Sequence, residues 1–144
     1  MAKTLYQYSP DDVDVIFKGI TITGFADGTF IDIEREVDTF TKKVGSLGDV
    51  VRTKSLNKSG KITITLLDAH PINDSLATVI SEDEESGAAT GAFTMKDRAG
   101  QSEARATDAW CMKVPKISRA EKSGNNVYVF EAASIFIKHA GSVK

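Results

Sequence analysis

Apolar and polar positions alternate with a period of two along most of the chain, as strands do when successive side chains face opposite sides of a sheet. The clearest case is Lys61-Ile62-Thr63-Ile64-Thr65-Leu66-Leu67. Ile62, Ile64 and Leu66 share one face, and Thr63 and Thr65 share the other. Asp14-Val15-Ile16-Phe17 precedes a short strand bracketed by glycines, Gly19 to Gly24. Asp27-Gly28 then supplies a turn dipeptide between the apolar flanks Phe25-Ala26 and Phe30-Ile31. In the second half, Ala92 to Asp97 and Glu103 to Val114 read as strands, the latter with Trp110 and Met112 on one face. A turn at Ser123-Gly124-Asn125-Asn126 leads into the run Val127 to Ile137. That run is long for one strand, so a bulge or bend is expected near Ala132-Ala133.

The period changes once. Ile72, Leu76, Val79 and Ile80 fall at i, i+4, i+7 and i+8, with Pro71 placed for a first turn. This predicts a single helix over 71–81. Its end is set at Ser81 because Glu82-Asp83-Glu84-Glu85 opposes the helix macrodipole, and Gly87 offers a stop beyond. The acid run itself reads either as a cation site or electrostatic patch, or as a solvated helix end; the second reading is preferred.

One stretch does not serve a self-contained sheet. Residues 34–58 place Gly45-Ser46-Leu47-Gly48 between two strand-like flanks whose apolar residues are sparse: Val37, Phe40, Val44, Val50, Val51 and Leu56. Lys, Arg, Thr and Asp fill the gaps. A two-stranded hairpin of this kind is marginal alone in water. The stretch is expected to be an extended arm that lies on another subunit, with those six residues as its contact, or else a mobile loop.

Composition narrows the function classes. At 144 residues and 41% hydrophobic content the chain can bury one core, and residues 1–144 are read as one domain. A net charge of -2 argues against nucleic acid as a main ligand. No apolar run approaches the roughly 20 residues that span a bilayer. Met1-Ala2-Lys3-Thr4 has no apolar h-region, so no secretory signal is expected. Cys111 stands alone, which suits a reducing compartment and makes the sequons at Asn57 and Asn73 chance matches.

Catalytic chemistry is not visible. His70 and His139 are isolated, and a His-Pro pair before a helix reads as a turn or cap. Cys111 beside Trp110 reads as a structural thiol. Asp11, Asp12 and Asp14 lack calcium-loop spacing and suggest strand entry. No catalytic, cofactor or metal residue is assigned. Trp110, Phe17, Phe30, Phe93, Tyr128, Phe130 and Phe136 could form a ligand face, but their alternation with Ile and Val points to the core.

Three runs taken in order, Tyr8 to Val15, Gly24 to Ile31 and Asn57 to Leu66, followed by the helix opening Pro71-Ile72-Asn73-Asp74-Ser75-Leu76, carry a resemblance. The sequence resembles the tail tube (inner tube) proteins of contractile-tailed bacteriophages, relatives of type VI secretion tube proteins. The resemblance implies a mainly β fold: an antiparallel β-sandwich or small barrel, one flanking α-helix and a long hairpin arm. It implies hexameric rings stacked into a tube inside a tail sheath protein, with baseplate hub and tail terminator proteins at its ends. Tape measure protein and DNA would pass through the lumen without specific binding. Assembly would occur in the host cytoplasm and the product would sit in the virion tail, with no membrane and no cofactor. The competing reading is a monomeric β-barrel module that binds carbohydrate or peptide. An enzyme would need a convergent acid–base set that the sequence lacks.

Overall fold

The computed structural model describes residues 3, 5–88 and 90–141. Of the stretch read above as lacking a signal, Met1, Ala2 and Thr4 therefore lie outside the described residues. A 3-10 turn, Pro10–Asp12, precedes ten strands and one helix. They are β1 (Val13–Phe17), β2 (Ile20–Ile22), β3 (Ile31–Arg35), β4 (Phe40–Val44), β5 (Val50–Lys54), β6 (Gly60–Leu67), α1 (Ile72–Ser86), β7 (Gly91–Asp97), β8 (Glu103–Cys111), β9 (Asn125–Ala132) and β10 (Ile135–Lys138).

Eight of the strands form one antiparallel sheet in the order β2-β1-β7-β8-β9-β6-β3, with β10 also paired to β8. The sheet curls. Ile22 pairs with Val15 on β1 at one end of this path, while Phe25 bridges Leu66 on β6 at the other end. Three residues span at most about 10 Å, so the two ends of the sheet must meet there. The result is a small barrel, and two backbone bonds, Leu67 N–H to Gly24 O (2.8 Å) and Ala26 N–H to Thr65 O (3.1 Å), fasten the seam.

Asp27-Gly28 turns the chain aside without reversing it. Phe25 lies opposite Leu66 and Ile31 opposite Ile64, so both flanks run the same way along β6. The dipeptide bulges out between them because its flanks bond to β6 and not to each other. Thr65 shows this directly: its carbonyl accepts from Ala26 and its N–H donates to Phe30 O. The expected bend near Ala132-Ala133 is present at Ala133-Ser134. Ala109↔Ala132 and Ala106↔Ile135 keep one register, so β9 and β10 are a single strand broken opposite Thr107-Asp108.

The core gathers the inward face of every long strand: Val15 and Phe17, then Ile62, Ile64 and Leu66, with Phe93, Tyr128, Phe130 and Ile135. Phe17 and Phe130 meet at 4.9 Å between ring centroids, a tilted pair worth about 0.5–1.5 kcal/mol beyond its burial. Trp110 and Phe136 were expected in this core and are not there. Trp110 is half-buried opposite Glu131, and Phe136 is exposed beneath Arg105. Phe30 is likewise half-buried, against Phe25. On β8 the inward positions belong to Ala104, Ala106 and Ala109, small enough to let Phe93 and Phe130 pack over them.

Helix α1 lays Ile72, Leu76, Val79 and Ile80 onto this core, the four residues its spacing selected. It runs on to Ser86, past the expected stop at Ser81. Gly87 ends it with φ 67°, a left-handed conformation open to glycine, and its N–H reaches Asp83 O at 2.7 Å. Glu82, Glu84 and Glu85 stay exposed and Lys18 Nζ lies 3.9 Å from Glu82, so the dipole cost of a few tenths of a kcal/mol per charge does not unwind the packed helix.

Candidate functional site

The insertion between β3 and β6 leaves the barrel as a ribbon. Arg35 pairs with Gly60 at its root, and Glu36 N–H reaches Ser59 O at 3.1 Å. Arg35 also anchors the root sideways, its Nε and Nη2 donating to Ile135 O at 3.3 and 3.1 Å. Beyond the root, β4 and β5 form a separate two-stranded sheet that bonds to no other strand. Every residue of both strands is exposed. The tip is closed by Gly45 N–H to Asp49 O (2.7 Å) and Gly48 N–H to Gly45 O (3.0 Å).

Register sorts the arm into two faces. Phe40↔Lys54, Lys42↔Arg52 and Val44↔Val50 are directly opposed, so these six side chains share one face. Thr41↔Thr53 and Lys43↔Val51 share the other. The structure thus brings Phe40, Val44 and Val50 together and puts Val51 on the reverse side. Val37 lies in the exposed outgoing segment and Leu56, 86% exposed, in the returning one. Leu47, at the tip, is 94% exposed and belongs with this set. The sequence signal for it was an apolar residue held inside a glycine turn.

Charge gives the arm a sign. Residues 40–54 carry Lys42, Lys43, Arg52 and Lys54 against Asp49 alone, net +3 in a chain of -2. Arg52 lies 3.7 Å over the Phe40 ring, a cation–π contact. Lys42 directly opposite Arg52 is a like-charge cross-strand pair, which destabilises an isolated ribbon. Among the described residues none of the four cations makes an ion pair.

Two further exposed segments were not read as surface in the sequence: the strand expected to run to Val114 ends at Cys111, and the residues beyond it and ahead of β1 stand in solvent. Met112, Val114 and Ile117 stand out from the β8–β9 connection among Lys113, Lys116, Arg119 and Lys122. Leu5, Tyr6 and Tyr8 stand out ahead of β1. The signal in the first case was three isolated apolar residues around Pro115 with cations between them. Asp68 tethers the far end of that connection, accepting from Ser123 Oγ (3.0 Å) and Gly124 N–H (3.2 Å).

The titratable groups are structural. His70 Nδ1 accepts the Ile72 N–H at 3.1 Å, the capping role its position before Pro71 suggested. Burial pushes the Cys111 thiol above its ordinary value, partly offset by backbone hydrogen bonding at Lys113 and Val129. Burial likewise raises Tyr128, whose hydroxyl donates to Asn73 Oδ1 at 2.6 Å. Among the described residues no group of three or more His, Cys, Asp or Glu could hold a metal ion, and no helix is long and apolar enough to cross a membrane.

A family model described as the bacteriophage PhiTE tail tube protein matches residues 17–139. Structural protein ORF10 of Pseudomonas phage KPP10 is 28% identical over 152 residues, spanning 100% of this chain and 88% of its own length. The cryo-EM structure of the anti-feeding prophage tube-terminating cap superposes with a TM-score of 0.66 at 9% identity, over 97% of this chain and 96% of that one. The sheath/tube terminator of the extracellular contractile injection system PVC, in its extended state, gives 0.65 at 11% identity, over 95% and 100%. These two likenesses concern the fold.

Proposed function

The chain belongs to the bacteriophage PhiTE tail tube protein family, a structural protein of the phage tail and not an enzyme, and from that premise we propose that six copies close a ring and that rings stack into a hollow tube. The tube lies inside a contractile sheath, meets terminator and baseplate hub proteins at its ends, and conducts DNA past a withdrawn tape measure protein. Assembly takes place in the host cytoplasm and the product is part of the virion.

One observation carries the reading: the arm. A net +3 ribbon with Phe40, Val44, Leu47, Val50 and Val51 exposed buries nothing in its own chain. Two-stranded ribbons are marginal in water unless a neighbour covers them. A neighbouring subunit, in the same ring or the next, is the cover a self-assembling tail protein has at hand. The competing binding module wanted a concave aromatic cluster, and Phe17, Phe93, Tyr128 and Phe130 are spent inside the barrel.

Deletion of residues 38–55 with a short glycine link tests the reading. The expected product is a folded barrel that stays subunit-sized by light scattering at concentrations where the full chain assembles. Rings or tubes from the deletion would remove the arm from the interface. The two structural neighbours are terminators, and a terminator would form single rings that do not stack. Extended tubes from the full chain decide for a tube subunit.

A further inference from the structure

Strand β3 ends the sheet, and its outer edge is open. Thr65 N–H donates to Phe30 O (2.9 Å) and Glu36 N–H to Ser59 O (3.1 Å), so the even-numbered residues from Phe30 to Glu36 turn their backbone groups toward β6. Those of Ile31, Ile33 and Arg35 point the other way, where no strand pairs with them among the described residues. A groove of about 360 Å³ lies beside this edge, lined by Tyr8, Val13, Phe30, Ile31 and Met95. The strand and its flanks are acidic: over residues 27–38, Asp27, Asp32, Glu34, Glu36 and Asp38 stand against Arg35 alone, net -4. Asp32 and Glu34 are exposed and make no ion pair among the described residues, although Lys61 lies across the ladder from Glu34.

The arm offers an edge that matches. Ser55 N–H donates to Thr39 O (2.7 Å) and Gly45 N–H to Asp49 O (2.7 Å), so the odd-numbered residues of β5 face β4. Val50, Arg52 and Lys54 therefore turn their backbone groups outward. This parity fixes how the two edges can meet. Joined antiparallel, residues that bond to each other share a face, which places Arg52 and Lys54 on the barrel side with Ile31 and Ile33. Joined parallel, each residue bonds to the two neighbours of the one it lies beside, and the faces shift by one. Ile31 then falls beside Val51, Asp32 beside Arg52, Ile33 beside Thr53 and Glu34 beside Lys54.

We propose that β5 of one copy adds in parallel to the open edge of β3 in a second copy, in the register Asp32↔Arg52 and Glu34↔Lys54. This deepens the stacked-ring reading and rests on it. Strand addition pairs the open N–H and C=O groups of both edges. Val51 covers Ile31 beside the groove, and Arg52 gains a carboxylate that offsets its opposition to Lys42. A second copy fits better than a nucleic acid, because a strand edge is satisfied by another strand edge and Asp32 and Glu34 repel phosphate. The contact joins two different patches, arm to barrel edge, so it is heterologous and propagates from copy to copy; such contacts build rings and stacks where a self-complementary patch would stop at a dimer.

Charge reversal and cross-linking are the test. One variant carries Arg52→Glu and Lys54→Glu, a second carries Asp32→Lys and Glu34→Lys, and a third carries all four changes. Sedimentation and negative-stain images of the full chain follow assembly, and circular dichroism confirms the fold of each variant. Each two-site variant is expected to remain subunit-sized where the unmodified chain assembles. The four-site variant, or an equimolar mixture of the two-site variants, is expected to regain assembly. On a Cys111→Ala background, copies with Asp32→Cys mixed with copies with Arg52→Cys should form disulfide-linked pairs on oxidation, several-fold more than with Thr53→Cys, which lies on the opposite face. Reversal without effect on assembly would overturn the proposal, and so would folded variants whose combination restores nothing, or cross-linking that prefers Thr53→Cys. Arm reversal that spares assembly but abolishes retention of duplex DNA would assign the arm to nucleic acid, also overturning it. In all these cases the unmodified chain still assembles, which leaves the stacked-ring reading standing; failure of the unmodified chain to assemble overturns both.

Discussion

Asn73 shows how single side chains hold the helix to the barrel. Its Nδ2 donates to the carbonyls of Leu67, Asp68 and His70, and its Oδ1 accepts from Tyr128 Oη and Asn126 Nδ2. Asn73→Ala strands both a buried hydroxyl and the carbonyls of the β6–α1 turn, and should cost at least about 2 kcal/mol in urea denaturation. Tyr128→Phe removes one bond and should cost about 1 kcal/mol. Gly60 is fixed by contact: a Cβ there would clash with Ile135 Cγ2, so Gly60→Val should lower stability by about 1–3 kcal/mol. The alkaline limit belongs to this scale as well. Burial raises both Cys111 and Tyr128, so the folded chain keeps their protons to higher pH than the unfolded chain does. Their contribution is complete below the ordinary values of 9.0 and 10.0 and is lost as pH rises through the folded values. Urea midpoints should therefore fall above pH 9, and Cys111→Ala should delay the fall. The fate of individual aromatics was the least legible feature in sequence. Alternation on β8 tracks large apolar residues, whereas its core face is Ala104, Ala106 and Ala109, so Trp110 was assigned inward and sits half out.

At the level of elements, strong periodicity was a sound guide. The face Ile62-Ile64-Leu66 and the helical set Ile72-Leu76-Val79-Ile80 are both buried as the pattern dictates. Two local rules were overridden by pairing and packing. Asp27-Gly28 has the chemistry of a hairpin turn, but β6 offers both of its flanks a partner, and a bulge results. The acids at 82–85 oppose the dipole, but Val79 and Ile80 are held in the core and Gly87 supplies the stop. The arm was legible because its polarity contradicted burial. Its two faces were not, since they follow from the register Lys42↔Arg52, which no composition reveals. The arm bonds to no other strand, so the deletion of residues 38–55 should leave the urea midpoint of the barrel nearly unchanged while removing assembly.

For the whole molecule, a closed barrel with a satisfied aromatic core explains a stable subunit, and the outward segments explain why it should not remain alone. The barrel consumes Phe17, Phe93, Tyr128 and Phe130. The arm, the Met112–Lys122 connection and the Leu5–Tyr8 segment leave apolar side chains in water, and the first two surround theirs with cations. On the proposed reading, that surface is covered by neighbouring subunits. Electron microscopy of the concentrated, purified full chain in low salt tests this most directly. Hollow tubes of stacked rings with a central channel are the predicted result. A monodisperse single-subunit particle at every concentration would contradict the account.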